Sequence, residues 1–125
     1  MTGVVLDAGA FLGLERRVPE MADFFNRARK DKRPLVTSAG VIGQVWRGDK
    51  GQTPIAWALR WPNTEVLAFS HADGRAAGRL LAMSGTSDVI DAHVALLARA
   101  RRWPVITSDP DDMQRLDSTI ELWTV

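Results

Sequence analysis

The sequence predicts an α/β fold: a single domain over residues 1–125, arranged as an α/β/α sandwich around a mostly parallel sheet of about five short strands. Three observations lead there. Short apolar, β-branched runs alternate along the chain with longer segments whose apolar residues recur at helical spacing. Asp, Ser, Gly and Pro punctuate the boundaries between them. At 125 residues, 46% apolar and 25% charged, with no low-complexity linker or internal repeat, the chain has the material for one core and no more.

The elements follow in order. VVL at 4–6, bounded by Asp7 and Gly9, reads as a buried first strand, and AFLGLERR as a short helix after it. Pro19 suits a first helical position, and Met21, Ala22, Phe24, Phe25 and Ala28 mark the buried face of a second helix ending in the basic run RARKDKR. Leu35–Thr37 is a second strand, stopped by Ser38, which can cap a helix carrying Val41, Ile42, Val45 and Trp46. GDKGQT is a loop, and Ile55, Trp57, Ala58 and Trp61 mark a short helix ended by Pro62, with Trp57 and Trp61 as i,i+4 partners. TEVLAF (64–69) is strand three, DGRAAGRLLAMSG a helix stopped at Gly85, and IDAHVALLARAR a strong helix. VIT (105–107) is strand four, a last short helix opens at the acids beyond it, and TIELWTV holds an edge strand.

Composition narrows the chemistry. With no cysteine there are no disulfides and no thiolate metal sites, so any metal is held by oxygen or imidazole. The opening MTGVVLDAG does not read as a secretory leader, and no run of about 18 apolar residues occurs, so a cytoplasmic protein without a membrane span is expected. The net charge of +1 conceals two clusters. Arg27, Arg29, Lys30, Lys32 and Arg33 crowd together with only Asp31 against them, while Asp88, Asp91, Asp109, Asp111 and Asp112 gather in the last third. Either basic or acidic run can be a solvated helix end, but the pair also suits a polyanion gripped at one place and a cation held at another.

In a parallel α/β sheet, ligands lie beyond the carboxyl ends of the strands. Asp7 directly follows strand one and Asp109 closely follows strand four. Each acid has an ordinary explanation, since Asp109-Pro110 with Asp112 at the third position has the form of a helix cap, and Asp88 with Asp91 repeats the spacing. Caps can be scattered, whereas a metal site must converge. Several carboxylates within about 5 Å repel unless a divalent cation neutralises them, and an all-oxygen donor set suits Mg²⁺ or Mn²⁺.

VVLDAGAFLGL, SAGVIGQVWR, SDVIDAHVALLARA and VITSDPDDM, in this order and spacing, resemble the PIN-domain ribonucleases, and among them the VapC-type toxins of bacterial toxin–antitoxin pairs. The resemblance spans essentially the whole chain. It implies Mg²⁺- or Mn²⁺-dependent hydrolysis of RNA phosphodiesters, in transfer or ribosomal RNA. The catalytic and metal-binding acids it implies fall on Asp7, Asp91 and Asp109, with Asp112 as a further ligand. Asp88, Thr107 and Ser108 are supporting candidates. The same resemblance implies a homodimer inhibited by a small VapB-type antitoxin lying across an apolar groove, for which Trp46, Trp57 and Trp61 are the candidates. Arg29, Lys30, Arg33 and Arg47 are the candidates for holding RNA phosphates.

One position departs from the pattern. The family usually has Glu in the helix after strand two, and Gln44 stands there instead. An amide offers a carbonyl oxygen but no charge. A catalytically silent domain that only binds RNA or antitoxin is therefore the competing reading. His93, two residues after Asp91 on a helix, points away from it, and His71 sits at a helix start, so neither reads as a nucleophile's base. A haloacid-dehalogenase-like phosphatase would need an acid where Gly9 stands, and a phosphoacceptor receiver domain a late lysine, whereas none occurs beyond Lys50.

Overall fold

A computed structural model describes all residues, 1–125. The strands are β1 (Val4–Leu6), β2 (Leu35–Ser38), β3 (Thr64–Leu67), β4 (Val105–Thr107) and β5 (Leu122–Thr124). The helices are α1 (Ala8–Glu15), α2 (Pro19–Asp31), α3 (Ala39–Val45), α4 (Thr53–Arg60), α5 (His71–Ser84), α6 (Val89–Arg101) and α7 (Pro110–Leu116), with a single 3-10 turn at Lys50–Gln52. All five strands pair in parallel in the order β3-β2-β1-β4-β5. The chain therefore winds outward from β1 to β3, crosses back, and continues from β4 to β5.

The central strands are buried on both faces, so β1 and β4 read as unbroken apolar runs rather than alternating ones. Helices α1, α2 and α4 pack together on one face, and α5, α6 and α7 on the other. Phe11 and Phe25 anchor the first layer with ring centroids 6.2 Å apart. Val94 and Leu97 fill the second. The α/β/α sandwich, the five strands and their parallel pairing agree with the sequence expectation.

Two details differ from it. Strand three ends at Leu67 rather than residue 69, because its neighbour ends at Ser38, the partner of Leu67, and nothing remains for Ala68 and Phe69 to pair with. Trp57 and Trp61 are not helical partners either. Pro62 disfavours helical backbone in the residue before it, and Trp61 is accordingly extended, at φ −64° and ψ 141°. The two rings separate: Trp57 is 63% exposed on α4, while Trp61 turns inward to meet Phe25 at 6.2 Å.

Gln52, within the stretch expected to be a loop, is buried and fully bonded. Its side-chain oxygen accepts from the backbone N–H groups of Arg47 and Gly48, and its amide donates to Glu15 Oε1 and to the Val45 carbonyl. It pins the loop after α3 to the end of α1. Gln52→Leu leaves those groups without partners in a buried place and is expected to cost about 2–3 kcal/mol, read as a lower urea midpoint at unchanged slope.

Candidate active site

The strand order reverses between β1 and β4, which makes their carboxyl ends the topological switch point of the sheet. Asp7 stands at the end of β1, and Asp109 two residues beyond the end of β4. Asp91 joins them from the first turn of α6, which runs antiparallel to the strands before returning into β4.

Asp7 is buried, only 6% exposed. Its carboxylate accepts from the Ala8 backbone N–H at 2.8 Å and from the Thr107 hydroxyl at 2.9 Å. The same Thr107 oxygen accepts from the Asp109 N–H at 2.9 Å. Thr107, wholly buried, thus ties the end of β1 to the turn after β4. Thr107→Val keeps the shape but removes both bonds; an expected loss of about 1–2 kcal/mol would appear as a lower melting temperature.

Close approach at this junction depends on Gly9. A Cβ there would lie 2.7 Å from the backbone nitrogen, Cβ and Oγ of Ser108. Gly40 does the same for the layer behind, since a Cβ there would lie 2.9 Å from Ile90, which precedes Asp91. The starts of α1 and α3 can thus lie directly against Ser108 and Ile90.

The acids act on one another through space. Burial pushes the Asp91 carboxyl up to about 7, and the negative charges of Asp7, Asp88, Asp109 and Asp112 push in the same direction. Burial also raises Asp7, opposed by its two hydrogen bonds. Asp109 is raised chiefly by hydrogen bonding with the Asp112 carboxyl and then by burial, and Asp112 in turn lies 3.2 Å from Arg115. Asp88, Asp91, Asp112 and Arg115 line a cavity of about 260 Å³ at this edge.

The capping expectation divides. Asp88 does cap α6, accepting from the N–H groups of Ile90 at 2.9 Å and Asp91 at 3.0 Å, and Asp7 caps α1. Asp109 does not cap α7 with its side chain. Its carboxyl makes no capping bond, and the carboxyl of Asp112 acts on it instead. Its freedom from capping leaves it available to a ligand.

Gln44 is half-buried on the last turn of α3, and Ser108 is exposed beside Asp109. Arg29 and Lys30 end α2, so with Arg33 they lie where β2 begins, at the opposite edge of the sheet from the acids. The Arg33 guanidinium donates to the Thr2 carbonyl and stacks over Trp123, and that of Arg47 donates to the carbonyls of Gly43 and Trp46. Trp46 is 40% exposed. His71 is exposed, while His93 is buried and bonded to Ser38 at 2.7 Å, away from the acids. Sequence reasoning missed Gly9 and Arg115. The i,i+3 spacing of Asp112 and Arg115 was a usable signal for the second, but no local pattern marked the first.

Oxygen donors that raise one another's pKa are the donor chemistry of a hard divalent cation, and the set fits one in kind. The side chains themselves are spread: no group of three or more His, Asp or Glu residues stands close enough together to hold a metal ion.

A family model described as PIN domain matches residues 4–118. No curated protein matches the sequence. Among solved structures, VapBC2 from Rickettsia felis, bound to a DNA fragment from its promoter, contains a chain with 15% identity and a TM-score of 0.69, each chain covered to 98%. FitAcB from Neisseria gonorrhoeae gives 13% identity and a TM-score of 0.65, with 97% of this chain and 96% of the other covered. FitAB bound to an IR36 DNA fragment gives 12% and 0.64, with 97% and 94% covered. At these identities the likeness is one of fold.

Proposed function

The chain belongs to the PIN domain family, and from that membership we propose that it is a metal-dependent endoribonuclease of the VapC toxin type, restrained by a small VapB-type antitoxin. The observation that carries the reading is Asp91, pushed up to about 7 first by burial and then by four other carboxylates gathered at the switch point of the sheet. A fold that maintains such repulsion without compensation loses stability; one that binds a cation there recovers it.

Asp7, Asp91 and Asp109, with Asp112, would hold Mg²⁺ or Mn²⁺. When bound, the cation supplies a more acidic water and neutralises charge that builds on the phosphodiester. Thr107 keeps the Asp7 carboxylate oriented by donating to it, and that bond also favours its charged form. Asp112 and the Gln44 amide would position water, with Asp88 and Ser108 in support. A transfer or ribosomal RNA is the expected substrate, in the cytoplasm, and no single helix is long and apolar enough to cross a membrane. The exposed Trp46 and Trp57 are the residues proposed for the antitoxin groove, on a homodimer, whereas Trp61 turns away from them.

Gln44 favours a second reading, a domain that binds RNA or antitoxin without cutting. One experiment separates them: purified protein with a pool of transfer and ribosomal RNA, in Mg²⁺, Mn²⁺ or EDTA, beside Asp7→Asn and Gln44→Glu. Cleavage that needs the metal and falls at least about 100-fold in Asp7→Asn supports the nuclease. Equal cleavage by Asp7→Asn would overturn it. Cleavage by Gln44→Glu alone would establish the silent domain.

A further inference from the structure

The basic run lies at the amino-terminal edge of the sheet, and there it borders a concave surface the acids do not share. Arg29, Lys32, Trp61, Pro62 and Asn63 enclose a cavity of about 580 Å³ with no acidic side chain in its lining. Strands of three or four residues put this edge on the order of 10–15 Å from the acidic one.

The cavity is held firmly. Asn63 donates to the Arg33 carbonyl at 2.7 Å and to that of Ala28 at 3.4 Å, and its own carbonyl accepts from Leu35. The end of α2 is thereby fastened to the start of β3. Lys32 caps α2 in the left-handed region, at φ 55°, with its N–H bonded back to Ala28 and Arg29. Trp61 is half-buried: its ring meets Phe25, and the residue also lines the cavity.

The cations are unspent. Within the run only Arg27 forms an ion pair, with Asp23 at 2.9 Å, whereas Arg29, Lys30 and Lys32 form none and are exposed. Asp31, the one acid among them, lines a separate cavity with Arg33 and Trp123. A second hollow of about 500 Å³ shares Lys32, Pro62 and Asn63 and continues to Trp103, over which Arg101 lies at 5.9 Å. Glu65 lines that far part, so the phosphate-attracting end is the one at Arg29 and Lys32.

We infer that this groove is a second RNA-binding site, which takes an unpaired nucleotide with its base against Trp61 and flanking phosphates on Arg29 and Lys32. A flat aromatic face beside two free cations matches how single strands are held, by stacking plus charge. A duplex keeps its bases inside and has none to offer such a cavity. The site would grip substrate away from the cut and select RNA with an unpaired segment at that distance. The choice of RNA rests on the nuclease reading, but the test needs no cleavage.

The probe is a short fluorescein-labelled oligouridylate, with an abasic strand of equal charge as comparison, titrated by anisotropy in EDTA across a salt series. Arg29→Ala with Lys32→Ala, both at exposed positions, is expected to weaken oligouridylate binding at least tenfold. The dependence of log affinity on log salt should fall by about 1.4, the value for two phosphates on a single strand. Trp61→Leu, which keeps apolar bulk against Phe25, should weaken oligouridylate binding about fivefold or more and leave the abasic strand unchanged. Unchanged affinity and salt slope in the double variant would overturn the site, as would equal losses for both strands in Trp61→Leu. Should the double variant instead spare oligonucleotide and weaken self-association by sedimentation, the groove is a protein interface and the inference fails. Metal-dependent RNA cleavage, measured separately, reports on the nuclease alone.

Discussion

Asp91→Asn is expected to make the protein more stable and less active. At pH 8 the wild-type carboxylate is charged in both states, but its folded pKa of about 7 lies well above the usual carboxylate value of 3.8. A raised folded pKa means that the native state binds the proton more tightly. Between about pH 4 and 7 the native state therefore carries more protons than the unfolded chain, and stability falls as pH rises through that window. Removing the charge should return on the order of 3 kcal/mol at pH 8, roughly 10 °C in melting temperature for a chain of this size, with the gain fading toward pH 4. Millimolar Mg²⁺ should stabilise wild type and barely affect the variant, narrowing the gap. Cleavage of RNA should fall at least about 100-fold. Calorimetry across pH, with and without Mg²⁺, checks the first part. A variant no more stable than wild type at pH 8 would show that burial and the neighbouring acids do not penalise the Asp91 charge.

Gly9→Val should do the opposite to stability while sparing every charged residue. The atoms a side chain would meet include the backbone nitrogen of Ser108, which cannot swing aside as a side-chain tip can. Either α1 or the turn after β4 must move, at a cost of about 2–3 kcal/mol with the added overpacking. Since Asp7 and Asp109 sit on the two sides of that contact, the movement separates them, and metal affinity should drop together with stability. Isothermal titration with Mn²⁺ and a urea melt measure the two effects. Full retention of metal affinity would mean that the β1–β4 junction does not shape the acidic edge. The contrast between the variants is informative: one removes a charge and stabilises, the other removes a space and destabilises.

Much of this was legible in one dimension. Alternation of β-branched runs with helical-period segments reports which face each element buries, and burial is what forms the parallel sheet, so the order of elements could be read directly. Ser38, Asp88 and Pro19 did at the helix starts what their chemistry favours locally. Trp61 could have been placed too, because the restraint that Pro62 puts on it is a matter of neighbours.

Asp109 marks where local reading ends. Its sequence context is that of a cap, yet its side chain makes no capping bond and is acted on by the carboxyl of Asp112, three residues on. The sequence by itself determined the α/β class, the strand-end acids and the absence of thiolate donors, since these depend on residue type and spacing. Only the tertiary structure decided that β1 and β4 would be neighbours at the switch point, that Gly9 would touch Ser108, and that the basic run would face away from the acids beside Trp61. Those relations join residues as far as a hundred positions apart, like the Thr107–Asp7 bond, and charge or shape acts across such a distance only once the chain has folded.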